Sequence, residues 1–174
     1  MPLTNVILTG FMGTGKSTVG RRLASEMGLK FIDVDEVIEK ESGLPIGEIF
    51  EKYGEHHFRK IESEVIRKLT SGEYGAGLVV SAGGGAVISE ANRTAFKRWG
   101  VLICLSASPD EILKRVGTNN DRPLLAAGDK REVIERLLKE RDGAYGDCDF
   151  TVATDFKDIH EVVGIVKKFL RDRE

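Results

Sequence analysis

The segment Gly10-Phe11-Met12-Gly13-Thr14-Gly15-Lys16-Ser17 fits the pattern G-x-x-x-x-G-K-[ST], in which a glycine-rich turn wraps its backbone N–H groups around phosphate oxygens. Glycine suits such a turn because it enters conformations closed to larger residues and lets the ligand approach the backbone. The apolar run Val6-Ile7-Leu8 precedes the loop, and a helix-period segment with Val19, Leu23 and Met27 follows it. Strand, loop and helix together are the context the motif requires, and the helix aims the positive end of its dipole at the same anion. Gly13, Thr14, Gly15, Lys16, Ser17 and Thr18 are therefore expected to hold ATP or a related triphosphate, with Lys16 toward the β- and γ-phosphates and Ser17 toward Mg2+. Alone, the loop says only that a nucleotide binds. No Asn-Lys-x-Asp guanine motif appears in the chain, which disfavours a GTPase.

Two further clusters narrow the reading. Asp33-Val34-Asp35 follows the short apolar pair Phe31-Ile32, and Ser81-Ala82-Gly83-Gly84-Gly85 follows Leu78-Val79-Val80. In an open parallel sheet, ligands gather at the carboxyl ends of strands, so three strand ends point at one site. On an extended segment, carboxylates two residues apart face the same way. One could support Mg2+ through water, and the other could hold and deprotonate an acceptor hydroxyl. The plainer alternative is that Asp35 caps the helix beginning Glu36-Val37-Ile38. The glycine triplet reads as a close approach of ligand to backbone, or else as a tight turn. No acidic residue ends the third strand, so Asp33 is the candidate for the missing metal-supporting carboxylate.

Arginine binds carboxylate or phosphate in a two-pronged fork, and several are available. Arg59 has Glu62 three residues on, a spacing that also suits a surface helix pair worth only ~0.3 kcal/mol. Arg136 and Arg141 share the helix-period segment Glu132–Arg141, and Arg122 follows an asparagine-rich stretch. Spacing alone does not choose among them.

The elements that must position these residues alternate between strand and helix, which predicts a parallel sheet covered by helices on both faces. Val101-Leu102-Ile103-Cys104-Leu105 and Phe150-Thr151-Val152 supply the fourth and fifth strands. Gly28 is a helix stop, and Gly43-Leu44-Pro45 breaks a helical region that resumes with Ile46, Ile49 and Phe50 and continues through Phe58, Ile61, Val65 and Leu69. Ile159, Val162, Val163, Val166, Phe169 and Leu170 form one stripe on a terminal helix. The expected fold is α/β: a three-layer P-loop NTPase sheet of five parallel strands with a small lid, in a single domain over residues 1–174. The lid is placed at about residues 117–129, where glycines, asparagines and aspartates interrupt the rhythm.

The 174 residues carry 26 basic and 28 acidic side chains, a net charge of −2, with no basic stripe for nucleic acid. No apolar run is long enough to span a bilayer, and no signal-peptide pattern opens the chain. Cys104 and Cys148 have no metal spacing, and Cys104 reads as a buried strand thiol. A cytoplasmic monomer acting on small molecules, with no nucleic-acid or membrane partner, is expected. Trp99 reads as packing. His56 and His57 read as solvated.

Taken together, Gly10 through Gly20, Phe31 through Asp35, Ile46 through Glu62 with Phe58-Arg59-xx-Glu62, Gly83-Gly84-Gly85, Arg122-Pro123-Leu124-Leu125 and Arg141-xxx-Tyr145 resemble the shikimate kinase family over nearly the whole chain. The resemblance implies transfer of the γ-phosphoryl of ATP to the 3-hydroxyl of shikimate, with Mg2+, in aromatic amino acid biosynthesis. It implies that Asp35, Arg59, Gly83, Gly84, Gly85 and Arg141 bind shikimate, within a helical segment of about residues 34–62 and beyond. Asp35 is then the base, with Lys16 and Arg122 catalytic, Arg122 closing over the phosphates and Arg115 stacking on adenine. Ser17 and Asp33 match the Mg2+ site. Where such sequences usually carry Pro-Leu before the motif tyrosine, this chain has Gly143-Ala144, which predicts a looser helix end by ~1 kcal/mol. Other acceptors, such as gluconate or a nucleoside monophosphate, and a regulatory nucleotide-binding module without transfer activity, are the competing readings.

Overall fold

Three short, almost wholly apolar runs become the middle of a parallel sheet: β1 (Val6–Thr9), β3 (Leu78–Ser81) and β4 (Val101–Ser106). Covered on both faces, such strands have no reason to alternate polar with apolar residues. The more polar β2 (Lys30–Asp33) and β5 (Phe150–Ala153) take the edges, giving the order β2-β3-β1-β4-β5. The computed structural model describes residues 5–117, 125 and 129–173.

Helices lie on both faces. Val6 and Leu8 of β1 pack with α1 (Lys16–Met27) and α7 (Ile159–Arg171), while Ile7 points to the opposite face with α4 (Glu90–Trp99), α5 (Pro109–Val116) and α6 (Lys130–Gly146). A third apolar cluster, including Ile38, Ile49, Phe58 and Leu69, seats α2 (Val34–Ser42) and α3 (Ile46–Thr70) against β2 and β3. The five-stranded, helix-covered sheet is the architecture the alternating pattern predicts.

Local signals settle most boundaries. Gly28 ends α1 in a left-handed conformation (φ 67°), and its N–H donates to the Ala24 carbonyl; Gly43 ends α2 the same way. Asp158 starts α7 with a capping box to Glu161. The buried stripe of α7 begins at Val162, because Ile159 is 41% exposed. Cys104 is a buried strand thiol, as expected, and burial pushes its pKa up to about 12. Trp99 packs between two of the apolar clusters.

Two features depart from the sequence expectation. The helix α3 is kinked at Gly54 (φ 79°, ψ 169°), a conformation that only glycine enters readily. In turn, α6 extends beyond the expected Glu132–Arg141, running from Lys130 through Gly143 to Gly146, and Tyr145 near its end is buried. Of the segment 117–129, Gly117, Leu125 and Asp129 are described; Leu125 is buried in the core and Lys130 donates to the Gly117 carbonyl at 3.2 Å. The remainder of the expected lid, with Arg122, lies outside the described residues.

Candidate active site

Register brings the three strand ends side by side, since Ser81 pairs with Leu8 on one side and with Asp33 on the other. The Ser17 hydroxyl, in the first turn of α1, donates to Asp33 Oδ2 at 2.6 Å and lies 3.2 Å from the Ser81 hydroxyl. Three hard oxygen donors thus sit together beside the loop. The other Asp33 oxygen accepts the Asp35 N–H at 3.0 Å, making Asp33, not Asp35, the cap of α2. The two aspartates therefore do not share an extended segment. The strand ends at Asp33, and Asp35 belongs to the first turn of the helix.

The loop between β1 and α1 needs its glycines. Gly10 has φ 132°, and a Cβ there would run into the Leu105 carbonyl; Gly13 and Gly15 have φ of 77° and 94°. Lys16 Nζ donates to the Gly10 and Phe11 carbonyls at 2.9 and 3.0 Å, bracing the loop from within. Thr14 turns its hydroxyl inward to the Phe11 carbonyl at 2.8 Å, so toward a ligand it offers main chain rather than side chain. A cavity over the loop is lined by Gly13, Gly15, Lys16, Ser17, Thr18, Asp33 and Ser81.

A second cavity, about 510 Å³ of empty space open to solvent, adjoins the first and is lined by Phe58, Arg59, Glu62, Gly85 and Arg141 among others. Met12, Asp35, Gly83 and Gly84 line both. The glycine triplet is there because other groups fill the space. A Cβ on Gly83 would sit 2.5 Å from Glu62 Oε1 and 3.2 Å from Asp35 Oδ1, and one on Gly85 would strike the Arg59 guanidinium. One turn of α6 sends Arg141 and Tyr145 to the same acceptor, the Gly84 carbonyl, with Tyr145 donating at 2.5 Å and Arg141 at a long 3.5 Å.

The Arg59–Glu62 pair is no surface pair. Glu62 is 1% exposed, its Oε2 accepts from Arg59 Nη1 at 2.7 Å, and its Oε1 has no hydrogen-bond partner among the described residues. Burial raises the Glu62 pKa above the usual 4.5, the Arg59 guanidinium pulls it back, and the nearby Asp35 carboxylate adds to the rise. Arg115, on α5, grips the loop from the other side. It donates to the Gly13 carbonyl at 3.2 Å and to the Thr154 hydroxyl and carbonyl at 2.9 and 3.0 Å. His56 and His57 are exposed, and Arg136 faces solvent beside Glu140.

A family model described as shikimate kinase matches residues 12–171. The chain belongs to the shikimate kinase family. A shikimate kinase of Geobacter sulfurreducens is 43% identical over 170 residues, covering 98% of this chain and 92% of the relative. One from Desulforudis audaxviator is 45% identical over 171 residues, covering 98% and 88%. The solved shikimate kinase of Acinetobacter baumannii in complex with shikimate superposes with a TM-score of 0.93 at 35% identity, covering 99% of this chain and 95% of that one. A gluconokinase from Sinorhizobium meliloti, at 14% identity and a TM-score of 0.57, shares the fold alone. Within this family the chain is an ATP-dependent small-molecule kinase.

Several site residues escaped the sequence reading. Met12 and Ser81, which stood in the quoted motifs without a role of their own, line the cavities, and Thr154, in no motif, holds Arg115. Only the third dimension reveals Thr154. Glu62, by contrast, left a trace: it lies in the helical stripe Phe58, Val65, Ile66 and Leu69, all buried, so a carboxylate at a core position was visible in the periodicity.

Proposed function

We propose that this chain transfers the γ-phosphoryl of ATP to the 3-hydroxyl of shikimate, giving ADP and shikimate 3-phosphate. The observation that carries the reading is Asp35, which lines both the phosphate-loop cavity and the adjoining arginine-bearing cavity. An acceptor hydroxyl beside Asp35 faces the γ-phosphate, and the carboxylate takes its proton as the oxygen forms the new bond to phosphorus. The bond from phosphorus to the β–γ bridging oxygen breaks, and ADP leaves with that oxygen. Arg59 and Arg141 supply the two-pronged donors that suit the shikimate carboxylate, while Gly83, Gly84 and Gly85 leave room for the ring.

On the nucleotide side, Gly13, Thr14, Gly15 and Thr18 present main chain to the phosphates. Lys16 turns from its loop carbonyls to the β- and γ-phosphates. Arg122 is assigned to the transferring phosphate and Arg115 to the base, by the family pattern. The hydroxyl–carboxylate set of Ser17 and Asp33 fits Mg2+, which binds few protein oxygens and keeps waters and phosphates as its other ligands. When bound, the metal neutralises charge on the β- and γ-phosphate oxygens.

A coupled assay of ADP release tests the proposal, run with ATP and Mg2+ and with shikimate, gluconate or AMP as acceptor. Release should depend on shikimate. Release indifferent to shikimate, or stimulated more by gluconate or AMP, overturns the acceptor assignment.

A further inference from the structure

The guanidinium of Arg59 is already engaged on both sides. Its Nε and Nη2 donate to Glu55 Oε1 at 3.3 and 3.1 Å, and its Nη1 donates to Glu62 Oε2 at 2.7 Å. Its Nη1–Cζ–Nη2 end lies against Gly85, where a Cβ would collide with all three atoms. Three of its five N–H donors are thus taken, and a carboxylate that pairs with the Nε–Nη2 edge, or with the Nη1 hydrogen already engaged, must displace one of the two glutamates. They are not equally replaceable: the Glu62 side chain is 1% exposed and that of Glu55 is 49% exposed. Removing Glu62 from Arg59 would strand a buried charge, which is strongly unfavourable, whereas Glu55 can turn to water at little cost. Glu55 also follows directly on Gly54, where α3 is kinked, so it begins the straight segment that carries Arg59 one turn later.

Charge points the same way. Asp35 and Glu62 line the cavity with Arg59 and Arg141, and Glu55 pairs with Arg59 from beside it, three carboxylates against two guanidiniums, to which an acidic acceptor adds a fourth negative charge. Releasing Glu55 removes one of them from the pairing.

We propose that Glu55 is a placeholder for the acceptor's carboxylate, a positioning residue that occupies the Nε–Nη2 edge of Arg59 until the substrate displaces it. The inference rests on the acceptor reading above. Glu55 then weakens acceptor binding, since each binding event must break its pair with Arg59, while Glu62 alone keeps the guanidinium in place.

The test measures KM for shikimate, KM for ATP and kcat in the Glu55→Gln and Glu55→Ala enzymes, with shikimate methyl ester as a second acceptor. Both substitutions should lower KM for shikimate several-fold, leaving kcat and KM for ATP within about twofold, and KM for the ester should not move. The Glu55→Asp enzyme, with its carboxylate drawn back from Arg59, should fall between. An unchanged KM for shikimate would overturn the proposal. A raised one would also overturn it, by showing that Glu55 orients Arg59 rather than competing for it. Parallel shifts for acid and ester would mean a general loosening of α3, again against it; the melting temperature reports whether either variant fails to fold, and Kd for shikimate by calorimetry repeats the test without turnover. A wild-type enzyme that does not use shikimate at all fails the acceptor reading itself, a result distinct from any of these.

Discussion

At the scale of single residues, Asp33 carries two separable tasks, one oxygen capping α2 and the other holding Ser17. Asparagine caps as well as aspartate, and alanine loses about 1 kcal/mol of helix-capping stability. Asp33→Asn should therefore keep the melting temperature yet raise the Mg2+ concentration needed for half-maximal turnover, whereas Asp33→Ala should lose both; a Mg2+ titration beside thermal unfolding separates them. At Asp35 the expectation is chemical. Asp35→Asn should cut kcat by roughly 10²–10⁴-fold, the span of general-base contributions, while ADP affinity by calorimetry stays near wild type. Glu62 adds a pH signature. Its folded pKa lies above the unfolded 4.5 because burial disfavours its charge, so the native state binds more protons than the unfolded state as pH rises past that value. The stabilisation is full below 4.5 and is lost as pH climbs through the folded value. Urea unfolding of wild type and Glu62→Gln from about pH 4 to about pH 7 should show wild type losing ground to the variant as pH rises.

Among elements, the turn after β3 makes the sharpest prediction. Gly85 has an ordinary φ of −105°, so alanine there meets no backbone strain, only the Arg59 guanidinium. Gly85→Ala should lower kcat/KM for the acceptor by about a hundredfold, the cost of displacing a binding group by an ångström, with KM for ATP little changed; steady-state kinetics in each substrate shows which moves. The strands were legible because a strand covered on both faces is a bare apolar run, and the helices because their apolar residues recur every three to four positions. Caps and glycine stops fixed the ends of α1 and α2. The kink at Gly54 was hidden, since a lone glycine in a helical pattern reads only as a weak helix former. The roles of Asp33 and Asp35 turned on where β2 ends, a one-residue boundary that local pattern does not resolve. The choice of Arg59 and Arg141 over Arg136 depended on which helix face meets β3, a matter of packing between segments far apart in sequence; family resemblance supplied it, and composition could not.

For the whole molecule, two adjoining cavities predict two independent handles on stability. ADP and shikimate should each raise the melting temperature, by about 2.7 kcal/mol of stabilisation at a hundred times Kd, and the two together should raise it further, read by scanning calorimetry. The placement of Trp99 bears on how such experiments are run. It is the chain's one tryptophan, wedged between two core clusters at the end of α4, with its carbonyl accepting from Asn5. That position precedes β4 at the end of the sheet opposite the strand ends that build the site; Ser81 and Asp33 lie level with Ile103, four residues on, about 13 Å away at 3.3 Å per strand residue. Its emission should follow collapse of the core while staying nearly blind to what occupies the cavities. A built-in optical reporter of unfolding therefore comes with this chain, and a ligand titration needs an introduced fluorophore nearer the phosphate loop.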